Sequence, residues 1–162
     1  KVQLVSSYTS RLRRMLERGE VHLALTTESE LDSGGETLQE RPLVWVGAIK
    51  GNEWRQRPLR LAFEQLCIFR KPVQEALDRA GITWEMAVES DNSRTVEASI
   101  SADLAVHACV EGAEPPYVER IRHGGALPDL PSIKINMYGA ELAKDEPVQA
   151  LAEMVRRAYL AM

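Results

Sequence analysis

Three histidines, two cysteines and a scatter of carboxylates and hydroxyls are the groups in this 162-residue chain that could do chemistry. His22, His107 and His123 have no second ligand at metal-binding spacing. Neither H-E-x-x-H nor a paired-cysteine motif occurs, so no metal site and no cofactor are expected. Cys67 and Cys109 are too few for a disulfide framework and read as reduced, half-buried thiols. Cys67 also stands just before a helix start, a place that lowers a thiol pKa. There is no G-x-S-x-G elbow, and "DSGGE" lacks the lysine and following helix of a phosphate loop. One acid–base pair, Glu64 with Asp91, is the most an enzyme reading can offer. The remaining groups are the hydroxyls of Thr26 and Thr27, the segment Glu64 to Phe69, and the run Ser90, Asp91, Asn92.

These groups share a setting. "VHLAL" before the threonines is apolar with little alternation, as in a parallel strand covered on both sides; "LRLAF" before Glu64 and "TWEMAV" before Ser90 read as strands too. Helices follow or precede them. Tyr8, Leu12, Met15 and Leu16 make one helical stripe, capped by Ser7 and ended by Gly19. Val73, Ala76, Leu77 and Ala80 make another, with Pro72 in its first turn and Gly81 after it. "KVQLV", the segment around Val44 to Val46, "LAVHACV" and "SIKINMY" read as further strands. Val148, Leu151, Ala152, Val155 and Tyr159 form the buried face of a last helix starting near Asp145. Alternating strands and helices indicate an α/β fold with mainly parallel sheets. In such sheets ligands bind beyond the carboxyl ends of strands, beside helix N-termini. On the residues alone, these polar groups either hold a small polar or anionic ligand or only cap helices.

Bulk properties narrow the class. Apolar content is 44%, charged content 27% and net charge −4, ordinary for one globular domain or two small lobes. Basic residues are mixed with acidic ones, so the chain lacks the clustered field that attracts nucleic acid. No apolar run approaches the roughly 20 residues of a membrane helix, and "KVQLVSSYTS" is not a signal peptide. A cytoplasmic location is expected.

Read in order, the pieces resemble the effector-binding domain of LysR-type transcriptional regulators. "RLRRMLERGEVHLALTTE" is similar to the family's helix, Gly-Glu, apolar strand and small polar residue. "RPLVWVGA" resembles a strand that crosses between lobes, and "LPDLPSIKINMY" the return crossing. "CIFRKPVQEALDRAGITWEMAVES" resembles the opening of the second lobe. "VEASISADLAVHACV" takes the place of V-x-A-G-L-G-V-A, with Asp103 and Ala105 where the family has glycines. His22 stands where the family has aspartate.

The resemblance implies a two-lobed, periplasmic-binding-protein-like (type 2) fold with helices on both sheet faces and two hinge-crossing strands. Lobe one would be residues 1–44 plus 135–162, and lobe two residues 45–134. It further implies that a small-molecule effector sits between the lobes, with Thr27 or Thr26, Ile68, Phe69 and Asp91 at family contact positions. Glu64 joins them from its place after a strand. The implied function is allosteric, not enzymatic: effector binding changes the geometry of a homodimer, and of a tetramer at full length. Its contacts would be antiparallel, using the helix from Ser7 to Arg18. DNA would be bound only by a helix-turn-helix outside these residues, and a strand and long helix would precede "KVQLV". A secreted solute-binding protein of the same architecture is the other expectation.

Overall fold

The computed structural model describes residues 2–139 and 145–161. Chain contacts divide it into two compact units, Lys1–Arg41 with Ile133–Met162, and Pro42–Ser132.

In the first unit, α1 (Thr9–Glu17) begins after Tyr8 and not at a Ser7 cap. It ends as the sequence demands. Gly19 adopts φ +69°, its N–H bonds Leu16, and the Glu20 N–H reaches back to Met15. Strand β1 (Ala24–Glu28) runs antiparallel to β7 (Ser132–Tyr138), with Thr26 opposite Asn136. The first half of β2 (Gly35–Ala48) pairs with β7, giving the order β1-β7-β2. The last helix, α4 (Glu146–Leu160), starts with proline in its first turn. It turns Ala152 fully inward, while Val148, Leu151, Val155 and Tyr159 are half-buried.

The second unit is a mixed sheet between two helices. Strand β3 (Leu59–Glu64) runs parallel to β4 (Trp84–Ser90) and touches β5 (His107–Val110) through a parallel bridge from Leu61 to Val106. The second half of β2 pairs antiparallel with β5 on one edge and with β6 (Val118–Arg120) on the other. Helix α2 (Arg70–Arg79) sends Val73 and Leu77 into a core with Trp45, Leu59, Leu61, Phe63 and Val106. Helix α3 (Ser93–Ser101) sends Val96 and Ile100 into a second core with Val44, Val46, Ala62 and Ala105. Neighbouring residues of β2 alternate between these cores, so residues 43–48 are all buried and read as one apolar run.

Three expectations are corrected. Among the described residues the sheets are not mainly parallel: β3–β4 is a parallel ladder, while β1–β7, β2–β5 and β2–β6 are antiparallel. Crossing strands such as β2 and β7 run against their neighbours, and a continuous apolar run does not encode direction. Residues 2–5 of "KVQLV" form no strand, and Leu4 is 90% exposed. The strand expected at "VHLAL" lies three residues later, so the threonines are inside it and His22 is an exposed residue before it.

Candidate functional site

The end of β1 is built from polar side chains turned inward. Thr26 is only 4% exposed, and its hydroxyl donates to Glu28 Oε2 at 2.8 Å. From β7, the Tyr138 hydroxyl donates to the same oxygen at 2.8 Å and the Asn136 amide at 2.9 Å. Asn136 is fully buried. Its amide also donates to the Glu30 carbonyl, and its Oδ1 accepts from the Thr37 hydroxyl of β2 at 2.8 Å. Arg13 of α1 closes the cluster, 3.8 Å from Glu28 Oε1. Period-two geometry makes this possible. Thr26 and Glu28 share a β1 face, and cross-strand register puts Asn136 and Tyr138 on the same side. Gly35 is required beside them, since a Cβ there would lie 2.2 Å from the Tyr138 ring.

Burial alone would raise the Glu28 pKa. The bonds from Asn136, Tyr138 and Thr26 and the charge of Arg13 outweigh it, holding the carboxyl below the ordinary range. A depressed carboxylate pKa stabilises the fold above the unfolded value of about 4.5 and loses that contribution as pH falls through the folded value. Urea midpoints measured from about pH 6 to about pH 3 should therefore fall in the wild type. In Glu28→Gln, which is less stable at the top of that range, the midpoint should fall less.

Thr27 differs from Thr26. It is half-buried, and its carbonyl accepts from the Thr9 hydroxyl at 3.2 Å. The other expected residues all lie in the second unit. Glu64 ends β3 opposite Ser90, which puts Asp91 one residue beyond the end of β4. Ile68 and Phe69 precede α2, Phe69 at its N-cap and packed against the first core. Asn92 caps α3 by accepting from the Arg94 N–H at 2.9 Å. The ends of β3 and β4 and the starts of α2 and α3 thus collect Glu64, Ile68, Phe69 and Asp91 in one region of that unit.

The histidines and cysteines have structural explanations. Ala62 turns its backbone toward the β5 side, its N–H bonding the Val106 carbonyl, and its own carbonyl is bonded by His107 Nδ1 at 2.7 Å. A carbonyl only accepts, so Nδ1 carries the proton; burial pushes the ring's pKa down and keeps it neutral. Burial likewise pushes the Cys67 thiol up to about 11 and Cys109 to about 12, so neither is poised for redox chemistry at neutral pH. The helix start after Cys67 does not overcome that desolvation. Asp103 adopts the left-handed φ of +57° that a glycine would take. Its carboxylate accepts from the Asn52 and Glu53 N–H groups at 2.9 and 3.2 Å. Aspartate tolerates this conformation. Among the described residues no cluster could hold a metal ion, and no helix is long and apolar enough to cross a membrane.

Sequence reasoning missed Arg13, Glu28, Asn136 and Tyr138. The one signal for Asn136 and Tyr138 was their place between the apolar positions of "SIKINMY", which looks solvent-facing in a strand of alternating pattern; Arg13 and Glu28 had none.

Residues 1–159 match the family described as LysR substrate binding domain. No curated protein sequence matches closely enough to count as a relative. Among solved structures, the chain resembles the apo regulatory domain of HypT from Salmonella typhimurium. The TM-score is 0.74 at 14% identity, covering 96% of this chain and 81% of that one. It resembles the regulatory domain of CcmR from Synechocystis PCC6803, solved in complex with 2-PG, with TM-score 0.68 at 13% identity. That match covers 98% of this chain and 83% of the other. The cofactor-binding domain of the Cbl transcriptional regulator gives 0.58 at 10% identity over 82% of this chain, which spans 64% of that domain's length. At such identities the likeness establishes the fold.

Proposed function

Because the chain belongs to the LysR substrate binding domain family and has its type 2 periplasmic-binding-protein-like α/β fold, we propose that it senses a small-molecule effector. The effector is taken up between the two lobes, residues 1–44 with 135–162 and residues 45–134, and binding changes the geometry of a homodimer. Thr27, Glu64, Ile68, Phe69 and Asp91 are the contacts proposed for it. Thr26 acts beside them from within the Glu28 cluster. In the full-length regulator, a tetramer in the cytoplasm, DNA is bound by a helix-turn-helix outside these residues. The mechanism is a population shift: an effector that binds one arrangement of the lobes more tightly makes that arrangement dominant.

The observation that carries this reading is the family match over residues 1–159. It favours a regulator over a secreted solute-binding protein of similar architecture. The complex of the CcmR regulatory domain with 2-PG supports a small polar ligand.

A thermal-shift screen of small metabolites tests it. At least one compound should raise the unfolding midpoint and be recovered chemically unchanged. If a compound is instead converted by substoichiometric protein, and Glu64→Gln or Asp91→Asn stops the conversion, the chain is an enzyme.

A further inference from the structure

The end of β1 is tied to α1 at two points one helical turn apart. Thr9, the first residue of α1, donates its hydroxyl to the Thr27 carbonyl. Arg13, four residues on and so on the same helix face, approaches Glu28 Oε1 at 3.8 Å and Asp32 in the next loop at 3.4 Å. Its guanidinium also sits 3.7 Å from the centre of the Tyr138 ring.

The bonding around Glu28 is one-sided. Thr26, Asn136 and Tyr138 all donate to Oε2, which leaves Oε1 facing Arg13. Arg13 Nη1 is buried and makes no hydrogen bond among the described residues. The guanidinium is therefore held by charge and by stacking, and not by a fork of short bonds. The pair is poorly exposed, at 21% and 16%, so solvent screens it less than a surface ion pair. Two carboxylates lie in reach of Arg13, at 3.8 and 3.4 Å, and neither holds it at short hydrogen-bond distance.

We propose that Arg13 is a positioning residue that reads the place of Glu28 at the end of β1 and transmits it to α1, so that a ligand seated at Thr27 is felt by that helix. The ligand part rests on the reading of Thr27 as an effector contact. The coupling is a property of the unliganded protein and is tested without a ligand.

The test is amide hydrogen exchange in α1, read in wild type, Thr26→Val, Arg13→Met and the double variant. Thr26→Val removes one donor to Glu28 without altering α1. It should lower protection of the α1 amides by about tenfold, the scale of a local opening, and leave α2 and α3 unchanged. In the Arg13→Met background the same change should move α1 by less than about twofold, because the link is already cut. Arg13→Lys, which keeps the charge and loses the flat stacking surface, should restore part of the response.

Equal losses in both backgrounds, or no loss in Thr26→Val, would overturn the proposal. If Thr26→Val loosens α2 and α3 as well, Tyr138→Phe, which removes another donor to Glu28 and keeps the ring under Arg13, replaces it on the same readout, with the same two criteria. Failure of the ligand reading registers elsewhere: a ligand that binds Thr27→Val as tightly as wild type overturns the contact and leaves a non-additive cycle standing.

Discussion

Replacing Asn136 with leucine is expected to lower the unfolding free energy by about 3 kcal/mol, read from urea denaturation at neutral pH. The two side chains have the same number of heavy atoms, so the loss comes chiefly from polarity, with some crowding by the bulkier methyls. Asn136 is fully buried and serves Glu28, the Glu30 carbonyl and the Thr37 hydroxyl at once. Leucine leaves a carboxylate short of one of its three donors and a hydroxyl without its acceptor, in a place with little access to water. Thr37→Val, which removes only the last of these bonds, should cost about 1 kcal/mol. A loss below about 1 kcal/mol in Asn136→Leu would mean that the network contributes little beyond filling space.

Phe63→Ala is expected to cost about 3–5 kcal/mol, the range for deleting a buried aromatic ring. Phe63 is fully buried in the core beneath α2, and its ring centre lies 4.4 Å from that of His107. The cavity would open beside the bond from His107 to the Ala62 carbonyl, so partial collapse is opposed by a second constraint. His107→Phe keeps the ring and removes that bond. It should cost less, about 1–2 kcal/mol, for a carbonyl left without its donor. Both are read by urea denaturation; equal losses would show that the hydrogen bond, and not the packing, dominates at this position.

The second unit was largely legible in the sequence. The second half of β2 and most of β3 are buried, so "LVWV" and "LRLAF" stand out as apolar runs, and Gly81 and Asn92 mark a helix end and a helix start. The first unit was less so, for a physical reason. Hydropathy assumes that polar residues in a strand face water, yet Thr26 and Asn136 face inward and bond Glu28. The apolar run "VHLAL" thus drew the strand three residues too early and gave His22 a prominence that its exposed side chain does not support. Strand direction was not legible either, because the two-sided burial behind the apolar runs is compatible with antiparallel crossing strands. Nor did the sequence distinguish the two threonines. Only the register with β7 shows that the Thr26 hydroxyl is engaged within the protein and that Thr27 stands apart from the Glu28 cluster.

The most direct test of the central claim is calorimetric titration of the best-stabilising metabolite into wild type and Thr27→Val. Valine keeps the branched shape and removes the hydroxyl. If Thr27 contacts the effector, affinity should weaken by about fivefold or more, the equivalent of one hydrogen bond of about 1 kcal/mol, with one site per chain in both proteins. Equal affinity in the two proteins would contradict the account of β1 as the strand that presents the effector-binding hydroxyl.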